Sequence, residues 1–215
     1  MKQFAVIGLG RFGASLATTL YRMGHHVLAL DISQEKIQRI MDEVTHCVQG
    51  DATDEEVIKA LGLRNFDTVV VSIGHNMQAS ILTTVLLKEL GVKNIVAKAN
   101  SAVHGKVLDK VGADRVIYPE RDMGSRLAHN LSSANILDYI DISADYSIME
   151  IVVGERLAGR TLGKLNLRAK WGISVMAIKK GDNIQIAPGA DDLVYKGDIL
   201  IAIGKQAALK RFFNE

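Results

Sequence analysis

The chain has 215 residues, 48% hydrophobic and 23% charged, a globular balance rather than a disordered one. Its 26 Lys and Arg against 24 Asp and Glu leave a net charge of +2, too little for a strong electrostatic hold on nucleic acid or an anionic membrane. No apolar run approaches the roughly 20 residues of a spanning helix, no signal peptide precedes the first glycines, and a lone cysteine fits a reducing compartment, so the expectation is a soluble intracellular protein.

Up to about residue 130, short β-branched runs alternate with helical stretches. Buried parallel strands are expected at Phe4–Gly8, Val27–Asp31, His46–Gln49, Val69–Ile73, Ile95–Ala99 and Arg115–Tyr118. Helices are expected at Ala14–Met23, Gln34–Asp42, Glu55–Leu61, Met77–Leu90 and Val103–Val111. Gly24, Gly62, Gly91 and Gly112 follow four of them, where a left-handed cap favours glycine. Such alternation predicts an α/β fold, a Rossmann-like doubly wound parallel sheet with right-handed crossovers.

A helix near Met123–Leu131 closes this pattern. Ser132–Asn135 reads as a break and Ile136–Ile142 as a short connecting helix. Strands then dominate, at Ser147–Val153, Ser174–Lys179, Asn183–Ala187 and Asp198–Ile203. Helical pieces lie near Thr161–Leu165 and Ala207–Phe213, and Gly181-Asp182 suits a hairpin turn. The domain plan is a nucleotide-binding domain over 1–132, a connecting helix or linker over 133–144 and a small α+β lobe over 145–215. About 70 residues is marginal for an independent unit, so the lobe is expected to pack against a second copy.

The strongest motif is Gly8-Leu9-Gly10-Arg11-Phe12-Gly13, directly after an apolar strand and opening a helix. In this pattern the first glycine permits the tight turn, the second lets a pyrophosphate approach the backbone, and the third lets helix and sheet pack closely. The helix N-terminus adds unpaired N–H groups and partial positive charge. Asp31 ends the next strand, eighteen residues after Gly13, where a ribose-binding acid belongs. Together they point to an adenine nucleotide. A carboxylate at Asp31, with no arginine in Ile32-Ser33, disfavours a 2′-phosphate and so NADP; NAD(H), ATP, ADP and AMP all remain.

Arg11 reads either as a solvated arginine or as a guanidinium that grips a terminal phosphate bidentately. Gly50-Asp51-Ala52-Thr53-Asp54 follows the third strand, where it meets the adenine edge, caps the next helix, or does both. Lys98 ends a central strand, facing the same crevice or snorkelling to solvent. Against catalysis, all six histidines precede residue 130, no cysteine cluster or Gly-x-Ser-x-Gly elbow occurs, and Cys47 reads as inert core. Nucleotide binding without chemistry is the economical reading; a small NAD-dependent oxidoreductase is the alternative.

Three segments carry a family resemblance: Phe4–Gly13, Asn76-Met77-Gln78-Ala79-Ser80-Ile81-Leu82-Thr83-Thr84, and Pro119-Glu120-Arg121-Asp122-Met123-Gly124. They resemble the RCK (regulator of K⁺ conductance, TrkA-type) family, specifically the KtrA/KtrC-type cytosolic subunits of bacterial Ktr potassium uptake systems. Leu167-Arg168-Ala169-Lys170-Trp171-Gly172-Ile173 resembles the second lobe of those subunits.

The resemblance implies a non-enzymatic regulator: an RCK_N Rossmann domain and an RCK_C lobe, assembled as a homo-octameric ring. The ring would lie at the inner face of the cell membrane beneath an integral-membrane, potassium-translocating partner of the KtrB/KtrD type. It implies activation by ATP and inactivation by ADP. Gly8, Gly10, Arg11, Phe12, Gly13, Asp31, Ser33, Asp51, Ala52, Thr53 and Lys98 would hold the nucleotide, with Arg11 reaching the γ-phosphate across a subunit interface. Glu120 would bind a divalent cation, Mg²⁺ or Ca²⁺, beside the nucleotides; by itself it reads as an acid stabilised at a helix N-terminus. In the second lobe, Arg168, Ala169, Lys170, Ser174, Val175 and Pro188 would line a cyclic di-AMP site at a dimer interface. Ser174 stands where related chains often carry Asn, and Trp171 where they carry Tyr; without the resemblance, Arg168 and Lys170 read as a solvated turn.

Overall fold

Alternating β-branched and helix-forming segments fold into alternating elements through the first half of the chain. The computed structural model describes residues 1–131, 136–143 and 145–214. In chain order the first elements are β1 (Gln3–Ile7), α1 (Arg11–Arg22), β2 (His26–Asp31), α2 (Gln34–Ile40), β3 (His46–Gln49), α3 (Glu55–Ala60) and β4 (Thr68–Val71). They continue with α4 (Met77–Glu89), β5 (Ile95–Lys98), α5 (Ala102–Lys110), β6 (Arg115–Ile117) and α6 (Pro119–Leu131). All six strands run parallel in the order β3-β2-β1-β4-β5-β6. This is the doubly wound order, with the topological switch between β1 and β4.

Successive strand residues face opposite sides of the sheet, and both sides are covered. Ala5, Ile7, Leu28, Leu30, Val69 and Val71 pack with Ile58, Leu87 and Leu108 on one face. Val6, Val27, Ala29 and Val70 pack with Ala17, Ile37 and Ile40 on the other. That double burial explains why these strands read as continuous apolar runs.

The chain divides into two compact units, Met1–Glu120 and Arg121–Glu215. The second contains β7 (Ile136–Asp141), β8 (Tyr146–Val152), β9 (Arg160–Thr161), α7 (Leu162–Leu165), α8 (Leu167–Trp171) and β10 (Ser174–Lys180). It ends with β11 (Asn183–Ile186), β12 (Leu193–Val194), β13 (Ile199–Lys205) and α9 (Gln206–Asn214). Five strands form an antiparallel sheet in the order β11-β10-β13-β8-β7, while β12 and β9 pair separately. Met149, Ile151, Ile173, Ile178 and Leu200 fill its core. The expected Gly181-Asp182 turn joins β10 to β11, with Lys180 opposite Asn183 and Gly181 at φ +57°.

One expected element is different. Ile136–Ile142 was expected as a connecting helix, but Ile136–Asp141 is a strand, β7, paired with β8 from Ile136 opposite Ile151 to Asp141 opposite Ser147. A register shift between Ile136 and Asp138 lets Ile136 and Tyr139 both reach the core, a spacing that mimics a helical period. Arg126 of α6 pairs with the Asp138 carboxylate of the same strand and holds that acid below the usual carboxylate range. The neighbouring expected break at Ser132–Asn135 lies outside the described residues.

Candidate functional site

Between β1 and α1 only Gly8, Leu9 and Gly10 turn the chain. Gly8 takes φ +93°, and a β-carbon there would stand 3.0 Å from the Ile73 amide nitrogen. A β-carbon on Gly13 would overlap the Gly8 carbonyl oxygen and lie 2.9 Å from the Ser72 hydroxyl, so the first turn of α1 rests directly on the loop. Around Gly10 the corresponding position is open, with nothing within 4 Å. Gly10 is also the N-cap of α1; no side chain caps this helix and its first turn holds no acid. Its leading N–H groups and positive dipole end therefore remain available to an anion.

A cleft of about 930 Å³ opens at the carboxyl ends of the strands, over the switch point. Gly8, Gly10, Arg11, Phe12, Asp31, Asp51, Ala52, Thr53, Lys98 and Glu120 all line it. Of the remaining nucleotide candidates, Gly13 lies behind the loop, and Ser33 reaches the site through its amide, which donates to Asp31 Oδ1 at 2.8 Å.

Asp31 is buried, and its Oδ2 accepts the Leu9 N–H at 2.6 Å, tying the end of β2 to the glycine loop. Asp51 Oδ1 accepts both the Thr53 amide, at 2.9 Å, and the Thr53 hydroxyl, at 2.7 Å, which holds the Asp51 carboxyl below the usual range. The cap of α3 is Asp54, accepting from the Glu56 amide at 2.9 Å, so Asp51 and Thr53 are not needed for that task.

At the other end of the cleft, Lys98 is 8% exposed and does not snorkel away. Its ammonium lies 5.9 Å from the centre of the Phe12 ring and pairs with the Glu120 carboxylate. That bond holds the Glu120 carboxyl below the usual range. Arg11 is exposed at the loop and makes no ion pair among the described residues. In turn the cleft presents the acid Asp31, the free helix N–H groups beside it with Arg11 exposed at the loop, and the ion pair of Lys98 and Glu120. A ribose, a phosphate chain and a terminal phosphate match that sequence of groups.

Among the described residues no three His, Cys, Asp or Glu side chains gather as a metal cluster. Glu120 is a single carboxylate lining the cleft, and one of its oxygens is already paired with the Lys98 ammonium. A Mg²⁺ or Ca²⁺ ion held there would have Glu120 as its one protein carboxylate and would take its other ligands from phosphates and water, a donor set that Mg²⁺ commonly accepts.

Sequence reasoning missed Lys36, Ser72 and Asn100, which also line the cleft. Lys36 lies five residues after Asp31, in the first turn of the next helix, and that spacing was the available signal. Asn100 follows β5, and its side-chain amide donates to the Gly74 carbonyl, linking the loops after β4 and β5. Ser72 and Asn100 gave no sequence signal, because only the strand order sets them beside the glycine loop.

In the second unit, Arg168, Ala169 and Lys170 are exposed on α8, and Ser174 and Val175 begin β10. Pro188 follows β11, where the Ala187 amide bonds the Met176 carbonyl at 2.8 Å. The strand residues and Pro188 thus share the open end of the β10–β11 hairpin, and α8 enters it through Gly172 and Ile173.

The TrkA-N domain family matches residues 4–119 and the TrkA-C domain family residues 147–215. The chain is 52% identical over 211 residues to Ktr system potassium uptake protein C of Bacillus subtilis, covering 98% of this chain and 96% of that protein. It is 39% identical to Ktr system potassium uptake protein A of Vibrio alginolyticus, covering 97% and 94%. In fold it is similar to the NAD-bound GsuK channel, with a TM-score of 0.71 at 18% identity, covering 100% of this chain and 40% of that longer one. The same fold appears in the crystal structure of the GsuK RCK domain, at a TM-score of 0.69 and 18% identity over 99% of this chain and 47% of that one. With both domain families matched in order along its length, the chain belongs to the TrkA-type RCK family.

Proposed function

We propose that this chain is the nucleotide-sensing regulatory subunit of a Ktr-type potassium uptake system, acting from the cytoplasmic side on a membrane-embedded potassium-translocating partner. The relatives named for potassium uptake support the process, and none of the described helices is long and apolar enough to cross a membrane, which suits a chain that works through a partner. As a member of this family the protein is a regulator, not an oxidoreductase. The observation that carries the ligand class is the convergence of the glycine loop, Asp31, Arg11 and Lys98 on one cleft.

ATP favours the conducting state and ADP the inactive one in this reading. A ligand shifts a two-state assembly only through contacts that differ between the states. The γ-phosphate supplies such a contact: extra charge that Arg11, which makes no ion pair among the described residues, grips from a neighbouring subunit. Glu120 holds a Mg²⁺ or Ca²⁺ ion against the same phosphates. Eight copies form the ring, and the second lobe dimerises and binds cyclic di-AMP through Arg168, Ala169, Lys170, Ser174, Val175 and Pro188.

Calorimetry of the full chain with ATP and ADP, with light scattering on the same samples, tests this reading. Binding of both nucleotides by a particle near eight copies supports it. Turnover of a hydroxy or amino acid with NAD, or failure to bind either nucleotide, overturns it.

A further inference from the structure

Asp31 is the acid at the end of β2, beside the glycine loop, and its hydrogen bonds leave it nothing to offer a ribose. A carboxylate has about four lone-pair sites, two on each oxygen. Oδ1 accepts the Ser33 N–H at 2.8 Å and the Lys36 ammonium at 3.2 Å. Oδ2 accepts the Leu9 N–H at 2.6 Å and the same ammonium at 3.0 Å. All four sites are filled.

Two of the three donors are fixed. The Leu9 amide belongs to the backbone of the loop between β1 and α1, and the Ser33 amide to the N-cap residue of α2, so neither can swing away as a side chain can. The third is the end of a flexible four-carbon side chain, 39% exposed, that lines the cleft itself. Lys36 takes one site on each carboxylate oxygen. A vicinal diol, with two adjacent O–H donors, needs that same pair of sites.

We propose that Lys36 is a ribose-subsite latch: its ammonium stands in for the 2′,3′-diol on Asp31 and must swing away when a ribonucleotide enters. Lys36 is then a specificity-determining residue, because only a ligand with both hydroxyls replaces the two bonds it gives up. A ligand lacking them leaves the latch closed. Lys36 thereby lowers the advantage of a ribose over a sugar without hydroxyls. This rests on the nucleotide reading of the cleft.

The test compares ADP with 2′,3′-dideoxy-ADP, titrated into the full chain and into Lys36→Met and Lys36→Arg. The two ligands carry the same phosphates, so any general loss of attraction on removing a cation cancels in the ratio of their affinities. The expected result is a preference for ADP that widens about two- to fivefold in Lys36→Met, the worth of a half-exposed ion pair, and stays near the parent value in Lys36→Arg. A ratio that is unchanged or smaller in Lys36→Met overturns the latch, since it would mean that Lys36 is neutral or aids the hydroxyls. Lys36→Gln, too short to bridge both oxygens, gives the same readout should Lys36→Met fold poorly. ADP that does not bind the parent chain at all overturns the nucleotide reading instead, so the two failures are distinguishable.

Discussion

The carbonyl oxygen of Gly8 occupies the space that a β-carbon on Gly13 would need, so the loop after β1 and the first turn of α1 are in direct backbone contact. Gly10, between them, faces open space. Two glycines of one motif therefore have separable tasks, packing for Gly13 and ligand access for Gly10.

Gly13→Ala is expected to destabilise the protein by about 2 kcal/mol or more, a fall in Tm of roughly 5 °C, because backbone rather than a mobile side chain must move. Gly10→Ala is expected to cost under about 1 kcal/mol, the scale of an N-cap exchange, while weakening ADP about tenfold by crowding the phosphate path. Thermal melts with and without ADP check both. Equal Tm losses for the two variants would refute the division.

Arg11→Ala is expected to weaken ATP by about tenfold or more and ADP by less than about threefold, since a charge-assisted bidentate grip on the terminal phosphate is lost only for ATP. Calorimetry of both nucleotides on assembled protein reads this directly. Equal losses would place Arg11 on phosphates common to both ligands.

Lys98 and Glu120 hold each other beside the phosphate end of the cleft. Glu120→Gln is expected to remove most of the gain in ATP affinity that Mg²⁺ or Ca²⁺ brings, whereas Lys98→Met weakens ATP with and without the cation. Titrations in chelator and in divalent salt separate the two effects. A cation effect that persists in Glu120→Gln would rule that carboxylate out as a ligand.

Acid should destabilise the fold. The Ile95 amide, at 2.7 Å, with Lys88 holds the Asp114 carboxyl below its usual range. Lys98 does the same for Glu120, and Arg126 for Asp138. A carboxyl depressed by folding binds its proton more readily when unfolded. Its contribution is therefore complete above the unfolded value, near pH 4, and is lost as the pH falls through the folded one. Burial also holds the His104 imidazole below the usual histidine range, so Tm is expected to be flat only above about pH 7, to decline as the pH falls through the unfolded histidine value near pH 6.5, and to drop further below about pH 4. Asp114→Asn should lower stability at pH 7 by about 1 kcal/mol, allowing for solvent screening, and soften the acid limb. An unchanged acid limb in that variant would remove Asp114 from the account.

What the sequence by itself determined is local. Runs such as Phe4-Ala5-Val6-Ile7 and Val69-Val70-Val71 are apolar without alternation, because a parallel strand is buried on both faces, and their regular exchange with helical stretches announced the doubly wound sheet. Gly8, Gly10, Gly13 and Asp31 were legible because a strand–loop–helix unit fixes their spacing along the chain. The tertiary structure decided the rest. The bulged pairing of β7 with β8 turned a helix-like spacing at Ile136 and Tyr139 into a strand, since a partner strand satisfies the backbone groups that a lone helix would have satisfied itself. The strand order brought Lys98, Asn100 and Glu120 to the cleft that the loop at residue 10 lines, from about 90 to 110 residues away in sequence. The saturation of Asp31 by Leu9, Ser33 and Lys36 was likewise invisible in the sequence, because lone pairs can be counted only after the backbone has placed their donors.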